Sequence, residues 1–446
     1  MRIAIIGSGI AGLGCAWLLE QAYDITVYEA DDRIGGHSHT MTMPTTDGSV
    51  AADTGFIVFN ERNYPNLTAL FEHLNVPTKA STMSFGVSID EGRFEYSGSE
   101  SYGTLFSQKS NLLRPSFHRM LRDIVRFNGA ASRFLRNAGS SSSETIGEFL
   151  DRGRYGVAFC ERYLLPMSAA IWSASLDKMR AFPARSFLRF FDNHGLIAVN
   201  GRPAWRTVAG GSKVYVEKLV EPFRQRIRQS CAVRRVVRIG DEVFVYDVNG
   251  GCTSYDAVVF ACHGDQALAM IEAPTGNERK ILGSFDYQEN KAILHSDPRL
   301  MPKRRTAWSS WNYLASSTKS SQGKVSVTYW LNHLQRLDTD DLVLVSLNPI
   351  HEPDPERVVA RLSYDHPLFD EKALAAQERL HEIQGRDRLW FAGAHWGHGF
   401  HEDGLLSGLR VAAGLGVTPP WWSNVSPLVP AGLSEAVRAQ AAAGGD

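Results

Sequence analysis

The chain opens on Arg2-Ile-Ala-Ile-Ile6, a short β-branched apolar run that predicts a buried parallel strand. The period then changes. Cys15-Ala-Trp-Leu-Leu-Glu-Gln-Ala22 sets apolar residues at helical spacing, and Ile25-Thr-Val-Tyr28 predicts a second strand. Residues 82–97 predict a hairpin turning near Asp90-Glu91-Gly92. Residues 103–200 are largely helical in pattern, with a loop at the serine run 140–143 and a helix start at Ser143-Glu144-Thr145-Ile146. Residues 231–262 hold alternating strand runs with a turn at Asn249-Gly250-Gly251, and they close on the apolar run Asp256-Ala-Val-Val-Phe-Ala-Cys262. Between 285 and 350 come four more strand-like runs, NKAILHS, TAWSSWNY, KVSVTYWLN and LVLVSLNP. The tail past Pro419 is expected to be poorly ordered beyond Trp421-Trp422.

Between the first strand and the first helix lie Gly7-Ser8-Gly9-Ile10-Ala11-Gly12. Gly7 permits the tight turn, Gly9 leaves room for a pyrophosphate against the backbone, and Gly12 lets helix and strand pack closely. The pyrophosphate would sit on the helix N-terminus, where N–H groups and the dipole favour anions. Glu29 closes the second strand, 22 residues beyond Gly7, where an acid accepts hydrogen bonds from ribose hydroxyls. Strand, glycine turn, helix and acid together make the complete βαβ dinucleotide-binding fingerprint.

Composition narrows what such a chain does. With 47 basic and 48 acidic residues in 446, net charge is −1, which argues against nucleic-acid binding as the main task. The five cysteines are scattered with no paired spacing, which suits a reducing, cytoplasmic setting and suggests neither a structural metal site nor a disulfide framework. The apolar run at the start is interrupted by glycines and lacks a small-residue cleavage site, so export is not expected.

Glu29-Ala30-Asp-Asp-Arg33-Ile-Gly35-Gly36-His37 resembles the second glycine motif of FAD enzymes in the amine oxidase and phytoene desaturase superfamily. The resemblance implies that FAD is the nucleotide, with Glu29 on the adenosine ribose and Arg33 to His37 along the pyrophosphate and flavin. It extends to Thr54-Gly55, to Val233 as the strand residue whose backbone meets adenine, and to the C-terminal stretch LWFAGAHWGHGFHEDGLLSG. There Gly393, Asp403, Gly404 and Leu405 match the cofactor-contacting positions. More narrowly, ADTGFIVFNERNYPNL, LHSDPRLMP and GFHEDGLLSG resemble a bacterial subgroup associated with cyclopropane fatty-acid synthase-like proteins. The implied fold is α/β. A Rossmann-like FAD-binding domain (1–80, 205–280, 385–420) interleaves with an α+β substrate domain of mixed sheet and helical cap (81–204, 281–384), and 421–446 forms the tail.

Candidate chemistry follows from the same resemblance. Lys291 matches the strand lysine that amine oxidases place near the flavin N5; alternatively it is an ordinary exposed lysine. His395, His398, His401 and Glu402 crowd one glycine-rich loop, and His398, His401 and Glu402 are candidates for proton handling. Trp172, Trp308, Trp311, Tyr313 and Trp330 fit either an apolar pocket or plain core. Phe400 stands where amine oxidases carry a tyrosine of their amine cage. No cysteine lies in the C-terminal motif, so FAD is expected to be non-covalent. These features favour hydride removal from an apolar or fatty acyl chain, with reoxidation by oxygen or an electron carrier. Alternatives are a flavin amine or amino-acid oxidase, a double-bond isomerase, or a flavoprotein partner of a lipid methyltransferase. Seven basic residues in 109–136 face Asp123 alone and interleave with leucine and phenylalanine. That segment reads either as an interfacial helix on the inner membrane or as a cap helix with one solvated face.

Overall fold

The computed structural model describes residues 1–98, 102–137, 144–172, 175–197, 203–316 and 326–422. The serine loop expected at 140–143 and the tail beyond Trp422 lie outside those residues.

Strand Arg2–Ile6 is the centre of a five-stranded sheet. Asp24–Tyr28 and Ala257–Phe260 flank it, Ile227–Arg228 and Leu389–Phe391 form the edges, and every pair is parallel. Its residues are apolar in succession because both faces are covered. Ile3 and Ile5 pack with helix Ile10–Leu19, whereas Ala4 and Ile6 pack on the opposite side with Val236, Val243 and Phe260. That opposite side is roofed by the antiparallel strands Val233–Ile239, Glu242–Asp247 and Cys252–Tyr255. The turn at Asn249 to Gly251 is closed by the Asp247 carboxylate, which accepts from Asn249 N at 2.9 Å and Gly251 N at 2.8 Å.

Helix Ile10–Leu19 is buried along its whole length between the sheet and helix His401–Gly414. The two helices cross through glycines. A Cβ on Gly408 would lie 2.1 Å from the Ala11 carbonyl oxygen, and one on Gly14 would lie 2.6 Å from Leu405 Cδ1. This crossing brings the two helix N-termini to the same end of the sheet.

A seven-stranded mixed sheet forms the second unit, in the order Val358–Leu368, Asp286–His295, Leu344–Leu347, Ser326–Trp330, Trp311–Ala315, Phe85–Ile89, Phe94–Gly98. The expected hairpin is its far edge, and Asp90, Glu91 and Gly92 all take positive φ in the turn. Strand Val358–Leu368 is absent from the sequence reading. It contains Pro367 and alternates exposed and half-buried residues, which a strand tolerates at a sheet edge, where it lies. Helices Pro115–Asn137, Ile146–Arg152, Leu165–Trp172 and Ala184–Asn193 cap this sheet, and Phe117, Phe127, Phe149 and Phe187 join Leu294 and Val345 in one core. The start at residue 146 is fixed by a capping box: Thr145 accepts from Glu148 N, and Glu148 accepts from Thr145 N. The basic helix Pro115–Asn137 buries Phe117, Met120, Asp123, Phe127 and Ala131, so one of its faces packs in the cap. The fold is the α/β arrangement expected.

Candidate functional site

The first part of the site is an anion cradle. Helix Ile10–Leu19 has no side-chain cap and no acid in its first turn. A Cβ built on Gly9 would meet nothing within 4 Å, whereas one on Gly7 or Gly12 would lie 2.6 Å and 2.0 Å from the carbonyl oxygens of Ala261 and Gly7. Gly7 and Gly12 are therefore required by packing, while the space at Gly9 is open. The second glycine loop closes over it. Gly35 N donates to the Ser8 carbonyl at 3.0 Å, Gly36 takes φ +56 with its Cβ position 3.0 Å from Gly9 Cα, and Arg33 Nη1 donates to the Gly36 carbonyl at 2.8 Å. Glu29 sits at the mouth and accepts from Asp31 N at 2.9 Å and Ser8 N at 2.9 Å. Val233 starts its strand at a bulge, beside Cys231, whose N–H donates to the Glu29 carbonyl at 2.8 Å. An uncapped helix, open space at one glycine and an acid at strand end fit a dinucleotide.

The other sequence-assigned positions divide by what they touch. Ser8 is fully buried and its hydroxyl is held by Glu29. Ala30 is exposed. Ile10, Ala11, Gly404 and Leu405 are buried; Leu405 meets Gly14, and a Cβ on Gly404 would meet Ile10, so all four lie in or at the helix crossing. Thr54 Oγ1 bonds the Tyr364 hydroxyl at 2.7 Å, and a Cβ on Gly55 would lie 2.2 Å from the His37 carbonyl oxygen. The His37 ring lies tilted beside those of Tyr364 and His366 at 5.0 and 5.4 Å, its Nε2 buried with no partner among the described residues. Burial, with other histidines close by, holds it well below the ordinary imidazole value. Gly393 takes φ +155 and donates its N–H to Ser407 Oγ at 2.8 Å.

The C-terminal loop carries the clearest corrections. Glu402, expected to move protons, is buried and caps the helix Pro65–His73. Its carboxylate accepts from Asn66 N at 3.0 Å, Asn66 Nδ2 at 2.7 Å and Leu67 N at 3.0 Å. Burial pushes it up to about 7 against the lowering effect of those donors. Its oxygens are committed to a structural role. Asp403, which the resemblance assigns to the cofactor, caps its own helix by accepting from Phe400 N at 2.9 Å, and burial raises it while His398 opposes. His395 is enclosed by Phe285 and Trp396 and pushed by burial down to about 3.

Lys291 does not face the site. It pairs with Ser363, and both are exposed, whereas its neighbour Asn290 pairs with Tyr364 on the inner face. Adjacent strand residues point to opposite faces, so a one-residue difference in register puts the lysine on the solvent side. Asn290 is fully buried there and accepts from Asn348 Nδ2 at 2.8 Å.

His401 is at the site, in a network that no spacing predicts. Its Nε2 hydrogen-bonds the Tyr215 hydroxyl at 2.7 Å and lies 3.3 Å from Ser38 Oγ, and its ring stacks on Phe56 at 3.9 Å and 9°. Ser38 and Tyr215 hydroxyls also bond each other. Burial lowers His401 to about 3, so the imidazole is neutral. Beside it, Phe400 stacks on Phe190 at 5.1 Å and 17°, His194 stacks on Phe190 at 3.8 Å, and His398 meets Phe190 edge-on at 6.1 Å. Burial brings His194 down to about 4. Trp172 extends this wall at 4.6 Å from Phe190 and is otherwise packed in phenylalanines. Trp311 and Tyr313 belong to the same core as Trp172. Trp311 packs edge-on to Tyr329, while Trp308 and Trp330 pair with each other. Among the network residues, Phe56 lies within the stretch 52–67 that carries the resemblance, whereas Ser38, Tyr215, Phe190 and His194 carried no sequence signal, because each is an ordinary residue within an amphipathic element or loop.

The sequence profile described as flavin containing amine oxidoreductase matches residues 10–415. Among curated proteins, the chain is 25% identical over 257 residues to a Mycobacterium tuberculosis protein assigned as a flavin-containing monoamine oxidase, covering 56% of this chain and 54% of that one. It is also 25% identical over 324 residues to a carotenoid phi-ring synthase of Streptomyces griseus, covering 68% and 59%. The chain thus spans little more than half the length of these relatives. Among solved structures, a CLA-producing fatty acid isomerase from P. acnes superposes with TM-score 0.65 at 16% identity, over 91% of this chain and 96% of that one. Cyclohexylamine oxidase from Brevibacterium oxydans superposes with TM-score 0.65 at 14% identity, over 92% and 98%. At such identities the likeness is one of fold.

Proposed function

The chain belongs to the flavin-containing amine oxidoreductase family, and from that premise we propose that it removes hydrogen from an apolar, acyl-type carbon chain to leave a double bond. It is a flavin oxidoreductase with FAD as its cofactor. When bound, the flavin supplies the hydride acceptor and passes electrons to oxygen or to an electron carrier. Gly9, Glu29, Arg33 and Gly36 would hold the dinucleotide, and the start of helix His401–Gly414 would face its other end.

The observation that carries the substrate reading is the Phe400–Phe190 stack. The position to which the resemblance assigns a cage tyrosine is filled by an apolar ring stacked on a second one. His194 and His401 beside it are held uncharged by burial, and the Glu402 and Asp403 carboxyls are engaged by N–H donors of helix starts. Such a wall orients a chain through dispersion and excludes water, and the carboxyls next to it are already engaged in helix caps. His401 and Tyr215 can hold or relay a proton at the Nε2–hydroxyl contact. The resemblance to the cyclopropane-synthase-associated subgroup supports the same substrate class and a lipid methyltransferase as neighbour or partner.

Family relatives that act on amines favour a second reading, oxidation of an uncharged amine. The test is an anaerobic absorption spectrum of the FAD-loaded protein, with bacterial phospholipid added to one cuvette and an amine mixture to another. Bleaching of the flavin band by lipid is expected. Bleaching by amines alone would replace the proposal with the second reading. No bleaching, with lipid double bonds moved but not gained, would make the protein an isomerase.

A further inference from the structure

The helical cap presents an apolar turn to solvent. Residues 109–113 form a short helical turn in which Leu112 is 51% and Leu113 88% exposed. Loose packing does not explain this. Asn111 beside them is fully buried and donates from Nδ2 to the Glu95 carbonyl at 2.9 Å. Arg114 donates to the Arg93 carbonyl at 3.2 Å and Asn111 Oδ1 at 3.0 Å, and His118 Nε2 bonds the Leu112 carbonyl at 2.8 Å. The turn is held in place with its two leucines pointing outward.

Helix Pro115–Asn137 continues from that turn. Arg119, Arg122 and Arg133 are exposed, with no ion-pair partner among the described residues, and Val125 is 67% exposed among them. The one acid of the helix, Asp123, is buried and bonds Arg126 at 2.5 Å and Gly156 N at 3.0 Å. The outward face is therefore basic and apolar together.

We propose that this face, Leu112–Leu113 with the arginines of the following helix, docks on an anionic phospholipid bilayer. A projecting turn of leucines flanked by cations inserts at the boundary of headgroups and acyl chains while the arginines meet lipid phosphates. A second copy of the chain is disfavoured as occupant, because a two-fold contact would set the arginine stripe against itself. The placement also has a consequence. Helix Pro115–Asn137 packs on helix Ala184–Asn193, which carries Phe190 against Phe400. The bilayer would thus lie one helical layer from the apolar wall of the site. The proposal stands whether or not the substrate is an acyl chain.

The test is co-sedimentation of the FAD-loaded protein with vesicles of phosphatidylglycerol plus phosphatidylcholine, against phosphatidylcholine alone. Binding to the anionic vesicles only, weakening with salt, is expected. Leu112→Asp with Leu113→Asp, and separately Arg119→Glu with Arg122→Glu, should each weaken partitioning by about tenfold or more, with an unchanged flavin spectrum showing that the fold is kept. Equal binding to both vesicle types, or variants that bind as well as the parent, overturns the proposal. A dimer that the leucine variant dissolves, without vesicle binding by the parent, overturns it in favour of self-association.

Discussion

At the scale of single residues, the cradle and the apolar wall make separable predictions. Gly9 has φ −70 and ψ 176, which any residue adopts, and its Cβ position is clear. Gly9→Ala should therefore leave the melting temperature of the FAD-free protein nearly unchanged, within about 0.5 kcal/mol of stability. The same methyl would occupy the space a pyrophosphate needs, so the FAD dissociation constant should rise at least roughly tenfold. Unaltered FAD affinity, read by fluorescence titration, would remove Gly9 from the cradle. Phe400→Ala removes half of a stacked pair from the wall. It should lower kcat/KM for an acyl substrate by about tenfold or more, with the flavin spectrum unchanged. Glu402→Gln sets an amide NH2 against backbone donors and should cost about 1–3 kcal/mol in thermal unfolding; a catalytic Glu402 would instead lower kcat at unchanged melting temperature. The glycines and Glu29 were legible because each answers to a local requirement of one turn. The role of Glu402 was not, since its partners Asn66 and Leu67 lie 336 and 335 residues away.

At the scale of elements, the two helices of the cofactor end are joined by missing side chains. Gly408→Ala would place a methyl 2.1 Å from the Ala11 carbonyl oxygen, which is backbone and cannot step aside. The helices must then separate, at a cost of about 1–3 kcal/mol or more. Because both N-termini move with that crossing, FAD affinity and melting temperature should fall together, unlike Gly9→Ala. A Gly408→Ala protein with parental melting temperature would show that the crossing is looser than its geometry requires. Elements with a clear local signal were readable from the pattern: the first strand and helix, the hairpin expected over 82–97, and the helix start near Thr145. Strand Val358–Leu368 was not, because an edge strand buries one face incompletely and admits Pro367. Lys291 shows the same limit. Its strand was recognised, but the strand's two faces are distinguished only by pairing with that unrecognised edge.

At the scale of the molecule, buried histidines govern the response to acid. His39, His194, His295 and His366 are lowered to about 4, and His395 and His401 to about 3, each chiefly by burial. The unfolded chain takes up their protons near the ordinary value of about 6.5, before the folded one does. Stability from these groups is complete above about pH 6.5 and is lost as pH falls toward 4. Glu402 and Asp53 act in the opposite sense. Raised to about 7 and about 6 by burial, they favour the fold at low pH and lose that advantage as pH rises through those values. The lowered histidines, His37 included, outnumber the raised carboxyls, Asp403 included, so the urea midpoint should drop between neutral pH and about pH 5. A midpoint that climbs on acidification would mean the carboxyls dominate.

The cofactor end and the fold class were already decided by the amino-acid order. A nucleotide cradle is built within about thirty residues, from a turn that only glycine allows and a helix that follows at once. The reacting end is assembled differently. Ser38 and His401 meet across 363 residues, and Tyr215 and His401 across 186. Such contacts depend on how two sheets and a helical cap close on one another, and no spacing along the chain records that. Tertiary packing therefore chose among the histidines and acids of one short loop, leaving His401 and His398 at the wall, enclosing His395, and committing Glu402 and Asp403 to helix caps.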